Sequence, residues 1–341
     1  RPAAVCRPGT AFGDTLVSCP LSHDVPVRLP ALAGDIGSSA GVDLLMRHTV
    51  VRLTSRWRQR VEGLELTGPS RTSQTLAVRE GQTVVLACGG LGNAQILLQP
   101  AADTDTPVGN ESGLVGRFLM EHPHVVSGHV LVHRAGLPPM PDGFGPGLVA
   151  LRVAPPLMTR HDLLPCSLAV QGPVEAPADS QDVKARLEAS FGVSLDWAML
   201  FARSEQEPSA SNRVEILADR TWAGSHRLRT HCSFSSRDLR SIEESTRLAG
   251  EALTTMKIGA VRLLNNAIYR ETTGGGHTMG TTRMGATPRD SVCDASLCVH
   301  GYANLYLAGS SVFPTVGAAN PTLTIVALSM RLASHLRTTR G

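Results

Sequence analysis

The run Thr83-Val84-Val85-Leu86-Ala87-Cys88, followed directly by Gly89-Gly90-Leu91-Gly92 and Asn93-Ala94-Gln95-Ile96-Leu97-Leu98, restricts the fold more than any other stretch of the 341 residues. Apolar and small residues without alternation predict a strand buried on both faces, and such strands belong to parallel sheets covered by helices. The glycines supply a turn, and Asn93 to Leu98 continues as a helix. Strand, glycine turn and helix is the order in which a nucleotide-binding sheet brings its backbone up to a cofactor. The cluster lacks the full glycine fingerprint, so a turn with no ligand is an equal reading of these residues alone.

The flanking regions read differently. Residues 1–40, rich in Pro, Gly and Ser and without a sustained period, form an extended lead-in. An apolar stretch from Val42 to Leu53 predicts a strand, and Val61 to Leu66 with Leu76 to Val78 predicts a hairpin or meander. Between residues 113 and 260, the short stretches Val125-Val126, Val130 to Val132, Leu164 to Val170 and Val214 to Leu217 are broken by proline-rich connections. That pattern predicts a mostly antiparallel sheet, and Leu239, Ile242, Leu248, Ala249 and Ala252 add a helix with one apolar face.

Such a length fits about two domains. An apolar fraction of 42% with 18% charged residues belongs to a soluble globular chain. The net charge of +3 comes from dispersed arginines, with no dense basic run beside aromatics, which argues against a nucleic-acid partner. The seven cysteines are scattered, odd in number and without a C-x-x-C pair, so they read as reduced thiols of a cytoplasmic protein rather than as a metal site. The opening residues do not read as a secretory leader, and no apolar run approaches the roughly 18 residues expected of a membrane span.

Near the C-terminus, Gly274-Gly275-Gly276 places His277 beside a permissive backbone. Asn304 to Ala308 reads as a short strand ending in Gly309-Ser310-Ser311. Asn320-Pro321 reads as a helix start, with asparagine a preferred cap and proline fitting the first helical position. The helix from Pro321 to about Leu336 is apolar on nearly every side, through Ile325, Val326, Ala327, Leu328, Met330 and Leu332, which predicts an interior helix. Its N-terminus would then favour a negative charge inside the protein. From the residues alone, a hydrogen-bonded loop histidine remains open for His277, and a side-chain helix cap for Asn320.

Five motifs occur in order. They are Val84 to Leu98; Gly113-Leu114-Val115-Gly116-Arg117-Phe118-Leu119-Met120-Glu121-His122-Pro123; Glu205-Gln206-Glu207-Pro208 with Asn212-Arg213-Val214; His277-Thr278-Met279-Gly280-Thr281-Thr282-Arg283-Met284-Gly285; and Asn304 to Thr324. From about residue 40 onward the chain thereby resembles the glucose–methanol–choline (GMC) family of flavoprotein oxidoreductases, in the branch of pyranose oxidase and sugar dehydrogenases. The resemblance implies an α/β fold, part of a Rossmann-like FAD-binding domain (41–112 and 281–341), with an α+β substrate domain (113–280) on a mostly antiparallel sheet. It implies oxidation of an alcohol or sugar hydroxyl with FAD, His277 acting as base and Asn320 as hydrogen-bond donor. It also implies that Val50, Gly89, Gly90, Ala308, Gly309, Pro321 and Thr322 contact the cofactor. Gln206 and Glu207 either face substrate or serve the surface or the strands.

One family feature is missing. The G-x-G-x-x-G turn that binds the pyrophosphate is not found: Gly143-Phe144-Gly145-Pro146-Gly147 follows no strand, and Gly34, Gly37 and Gly41 have the wrong spacing. The reading is therefore an incomplete FAD site, completed by a missing segment or by a second polypeptide in a heteromer. The alternatives are a degenerate relative kept as a non-catalytic partner subunit, flavin bound by some other arrangement, and a flavin-dependent lyase on the same scaffold.

Overall fold

The computed structural model describes residues 11–12, 16–20, 41–55, 59–101, 107–137, 149–178 and 180–339. Gly34, Gly37 and the glycines between 143 and 147 lie outside them, as does most of the lead-in. The strands are β1 (Ala11–Phe12), β2 (Leu16–Pro20), β3 (Thr49–Thr54), β4 (Gly63–Thr67), β5 (Ser73–Ala77), β6 (Val84–Leu86), β7 (Pro123–Val132), β8 (Val149–Val153), β9 (Cys166–Gln171), β10 (Asp196–Ser204), β11 (Arg213–Arg220), β12 (His226–His231), β13 (Gly259–Leu263), β14 (Thr273–Gly274) and β15 (Leu305–Leu307). The α-helices are α1 (Gly89–Leu98), α2 (Pro155–Arg160), α3 (Gln181–Phe191), α4 (Ser236–Thr255), α5 (Asn265–Glu271) and α6 (Thr322–Thr338).

The largest sheet runs β1-β2-β8-β9-β10-β7-β13, with β14 also pairing β7, and its pairings are antiparallel. Its inner face is closed by α4. Ser235 and Asp238 start that helix with a reciprocal capping box, which satisfies two amide groups that would otherwise lack partners. Ile242, Ala249, Ala252 and Leu253 then lie along one side of α4 and share a core with Val130, Leu168, Leu200 and Ala202. This is the antiparallel, helix-covered sheet that the interrupted apolar stretches predict.

A second core surrounds the glycine turn. Here β6 and β15 pair in parallel, Val84 opposite Leu305 and Leu86 opposite Leu307. Leu86, Ala94, Leu97, Met279, Leu305, Leu307 and Val312 pack together, and the antiparallel β3-β4-β5 meander lies alongside. Asn93 ties the two strand ends into one unit. Its Oδ1 accepts from the Cys88 N–H at 2.8 Å, while its Nδ2 donates to the Ala308 carbonyl at 2.9 Å and to the Ser311 hydroxyl at 2.8 Å. The side chain is fully buried, so water cannot replace these bonds.

Three expectations change. Val42 to Met46 is not strand: Leu44, Leu45 and Met46 are more than half exposed, and the strand begins only at Thr49. Among the described residues, no strand pairs with that apolar stretch. The strand β6 is not buried on both faces either, because Val85 is 40% exposed between buried Val84 and Leu86. The largest difference is α6. Only Leu332 is buried; Ile325, Leu328 and Leu336 lean on the second core, while Leu323, Val326 and Met330 are 60%, 49% and 69% exposed. A helix that is apolar all round has a packing partner on one side only among the described residues.

Replacing the buried Asn93 carboxamide strands an N–H of one strand end and a carbonyl of the other, at roughly 1–3 kcal/mol for each group. Asn93→Ala is thus expected to lower the urea midpoint of unfolding by an amount equivalent to about 3 kcal/mol, and an unchanged midpoint would remove the side chain from its tying role.

Candidate active site

Strand register assembles the site at one end of the large sheet. On β7, His124 stands opposite Arg203 of β10 on one side and Thr273 of β14 on the other. His122 precedes His124 by two positions, and alternate residues of an extended segment point to the same side. Their ring centroids lie 6.3 Å apart. His277 follows three residues after β14, across the glycine run.

The glycines of that run serve two needs. A Cβ on Gly275 would run into the imidazole of His124, and one on Gly274 would lie 2.8 Å from Oε2 of Glu121, so the His124 ring and the Glu121 carboxylate sit close over bare backbone. Gly276 has a φ of +72°, a left-handed conformation that side-chain-bearing residues seldom adopt. The backbone N–H of Gly275 donates to the His122 carbonyl at 3.1 Å, which fixes the segment before His277.

His277 meets His122 through their Nδ1 atoms at 3.2 Å, with the rings nearly perpendicular at 85°. The His122 ring is fully buried, and its Nε2 faces the Val316 carbonyl at 3.4 Å. Arg203 donates from Nε to Nε2 of His124 at 2.8 Å and from Nη1 to Oδ1 of Asn320 at 2.6 Å. His277 and Asn320, distant in sequence, are therefore joined in one cluster by His122, His124 and Arg203. The helix-cap reading of Asn320 does not hold, because Pro321 occupies the cap position of α6, no side chain caps the helix, and the Asn320 oxygen is engaged by Arg203.

The three imidazoles are held neutral. Burial is the main cause that pushes His122 and His124 down to about 4, with the Arg203 charge acting in the same direction on both. His277 is lowered from its ordinary value near 6.5, first by burial and then by Arg203, while Glu121 acts in the opposite direction. One carboxylate oxygen of Glu121, Oε2, is buried without a hydrogen-bond partner among the described residues. Arg203 itself, half-buried, is bonded to a neutral ring and a carboxamide rather than to a carboxylate.

Of the candidate cofactor residues, Ala308 belongs to the second core and Val50 packs against it. Gly89 and Gly309 have φ of +78° and +101°, and a Cβ on Gly309 would lie 3.7 Å from the Gly89 Cα, so the two turns meet. The space beside Gly89 is open. Gly90 instead packs on the segment after His277: a Cβ there would fall 2.0 Å from the Thr278 carbonyl oxygen. Ala308 is buried, its N–H donating to the Leu86 carbonyl at 2.8 Å. Val50 is on β3, half-buried against the second core. Pro321 is buried, and Thr322 lies exposed in the first turn of α6, whose amides have no side-chain cap.

Gln206 and Glu207 are structural. The Glu121 N–H donates to Oε1 of buried Gln206 at 2.7 Å, and Gln206 Nε2 donates to the Ser233 carbonyl at 2.9 Å. Glu207 pairs with Arg237 at 3.0 Å. The sequence reading missed His122, His124 and Arg203 as site residues. The His122-Pro123-His124 alternation is a signal for the two rings, whereas Arg203 is identifiable only once β10 is registered against β7.

Comparison with known proteins places this geometry. A family model described as GMC oxidoreductase, for the C-terminal part of such proteins, matches residues 208–329. The fructose dehydrogenase large subunit of Gluconobacter japonicus is 24% identical over 319 residues, which cover 87% of this chain and 54% of that protein. The 6'''-hydroxyparomomycin C oxidase of Streptomyces lividus is 29% identical over 279 residues, 80% of this chain and 48% of that one. The chain thus spans about half the length of these curated relatives. Among solved structures, an FAD-dependent oxidoreductase from Chaetomium thermophilum superposes with a TM-score of 0.56 at 15% identity, covering 90% of this chain and 63% of that one. The chain therefore shares its fold with that solved FAD-dependent oxidoreductase, and sets a mostly antiparallel sheet beside a small parallel unit. Among the described residues no helix is long and apolar enough to cross a membrane, and no cluster of His, Cys, Asp and Glu has the makings of a metal site.

A lowered histidine pKa carries a linkage sign. The unfolded chain takes up protons as pH falls through about 6.5 while the folded rings resist until about 4, so this contribution weakens the fold across that interval. Ring Cε1 signals of His122 and His124 followed by NMR are expected to keep their neutral positions down to near pH 4; midpoints at 6 or above would show that the rings are hydrated.

Proposed function

We propose that this chain is part of a GMC-type oxidoreductase that oxidises a CH–OH group of a sugar or other alcohol to a carbonyl, with FAD as hydride acceptor. The observation that carries the reading is the cluster of His277 and Asn320: a neutral imidazole and a carboxamide, gathered through Arg203 and two further neutral histidines. The names of the relatives, a fructose dehydrogenase large subunit and a 6'''-hydroxyparomomycin C oxidase, agree with a hydroxyl-bearing substrate.

The residues present fit a flavin. Bare backbone at Gly89 and Gly309, where the turns meet, leaves room for close approach, and the uncapped first turn of α6 at Thr322 offers N–H donors to an electron-rich ring edge. Gly89, Gly90, Ala308, Gly309, Pro321, Thr322 and, from β3, Val50 are the residues we assign to FAD. When bound, FAD supplies the acceptor for the hydride leaving the substrate carbon. His277 takes the hydroxyl proton, a role suited to an imidazole that is neutral at pH 7. Asn320 donates a hydrogen bond to the same oxygen as negative charge grows on it. Residues 41–112 and 281–341 are the FAD-facing unit and 113–280 the substrate-facing unit, a division supported by the two separate apolar cores. We place the protein in the cytoplasm, in line with the free thiols of Cys88, Cys166, Cys232, Cys293 and Cys298.

We assign the missing G-x-G-x-x-G unit to polypeptide beyond these 341 residues, seated on the outer strip of α6. Leu323, Val326 and Met330 support this, since each buried apolar side chain of that size is worth roughly 1.5–3 kcal/mol.

In the FAD-loaded enzyme, His277→Ala is expected to lower the rate of anaerobic flavin bleaching by sugars about 10²–10⁴-fold, and Asn320→Ala about 10²–10³-fold, with the oxidised spectrum retained. A His277→Ala enzyme that bleaches at the original rate would discard the base assignment. For the second unit, the chain alone is expected to purify with little FAD and to gain it on co-expression with the G-x-G-x-x-G polypeptide; full FAD content on the chain alone would overturn that part.

A further inference from the structure

The hydrogen-bond direction of each group around the pair follows from what its neighbours are able to do. A backbone carbonyl only accepts, so the His122 Nε2 that faces Val316 carries the hydrogen. His122 is neutral, and a neutral imidazole has one N–H, so its Nδ1 is a bare lone pair. That lone pair faces Nδ1 of His277 at 3.2 Å, and two bare nitrogens would repel. The His277 Nδ1 therefore carries the hydrogen, and its Nε2 is left with the lone pair. Free imidazoles choose between these tautomers; here the buried His122 chooses.

A guanidinium only donates, so the Asn320 atom 2.6 Å from Arg203 Nη1 is the amide oxygen, not the nitrogen. Both hydrogens of Asn320 Nδ2 are thereby turned away from Arg203, and they have no partner among the described residues. Arg203 is held in turn by Nε2 of His124, 2.8 Å from its Nε, and its own Nη2 makes no hydrogen bond among the described residues.

We propose that His122 and Arg203 are positioning residues that set the hydrogen-bond polarity of the site, so that His277 presents an acceptor nitrogen and Asn320 a donor amide to the substrate. This rests on the hydroxyl-oxidation reading and deepens it. The complementary ligand group donates one hydrogen and accepts another on the same oxygen, which is an un-ionised hydroxyl. A carboxylate leaves the His277 lone pair facing negative charge, so the site selects hydroxyl over carboxylate before any chemistry takes place. The groups that act on His277 are His122 at its Nδ1, Arg203 from β10, and Glu121, which opposes them.

The first test needs neither flavin nor turnover. Long-range ¹H–¹⁵N spectra of the ¹⁵N-histidine-labelled full chain at pH 7.5 are expected to show His277 as the Nδ1–H tautomer, and His122→Phe is expected to shift it toward Nε2–H. An Nε2–H tautomer in the original protein, or no change in His122→Phe, overturns the His122 role, and the first of these stands even if the variant fails to fold. For Arg203, the same spectra followed against pH are expected to show the His277 titration moving upward in Arg203→Met and staying in place in Arg203→Lys, which keeps the charge. In the FAD-loaded enzyme the acidic limb of kcat/KM moves with it, and kcat falls at least tenfold in Arg203→Met. An unmoved His277 titration together with unchanged kcat in Arg203→Met removes Arg203 from the site's machinery. If flavin reduction by hydroxyl substrates is absent altogether, the function fails while the tautomer result still decides the polarity.

Discussion

The two cores of this chain are held in one geometry by the backbone of residues 278–284. Met279 and Met120 exchange hydrogen bonds, N to O, at 2.9 and 3.0 Å, which splices the segment to the run leading into β7. On its other side, Gly280, Thr282 and Met284 donate to the carbonyls of Ser310, Ser311 and Val312 at 3.2, 2.8 and 2.8 Å, just beyond β15. Thr278 closes the gap by packing its carbonyl against the bare Cα of Gly90. A segment bonded along both edges has no freedom to slide, so His277 at its head inherits a position defined by the large sheet and the glycine turn at once. The glycine at position 90 is required by this splice, a use that the strand-turn-helix pattern does not disclose.

Within the site, the dominant physical constraint is desolvation. Burial raises the cost of charging His122, His124 and His277, and the neighbouring guanidinium adds to it. Several imidazoles beside a cation form a stable arrangement only if they stay neutral, and neutral rings are directional: each has one donor and one acceptor. Directionality is what lets a carbonyl at Val316 influence which nitrogen of His277 is bare. Glu121, with one buried oxygen unpartnered among the described residues, acts on His277 in the direction opposite to Arg203.

Much of this was legible in the chain. The parallel strand before Gly89, the helix after it, the strand before Gly309, the antiparallel character of the middle region and the apolar face of α4 all follow from local periodicity, because each depends on residues a few positions apart. The motif order around His277 and Asn320 also pointed to the residues that the fold gathers. The misreadings share one cause. The exposed Leu44, Leu45 and Met46, the exposed Val85 and the half-covered α6 are apolar segments whose burial depends on what lies next to them, and a sequence carries composition rather than neighbours.

Arg203 shows the same division most sharply. By itself the sequence determined most of the secondary elements, the glycine turns and the two side chains proposed here for proton removal and hydrogen-bond donation. The tertiary structure alone decided that Arg203 faces His124 across a strand pair, that Asn320 turns its oxygen toward that arginine rather than capping α6, and that His122 stands behind His277. The physical reason is that side-chain type and local period are properties of short windows, whereas hydrogen-bond direction and desolvation are set by atoms brought together from distant parts of the chain.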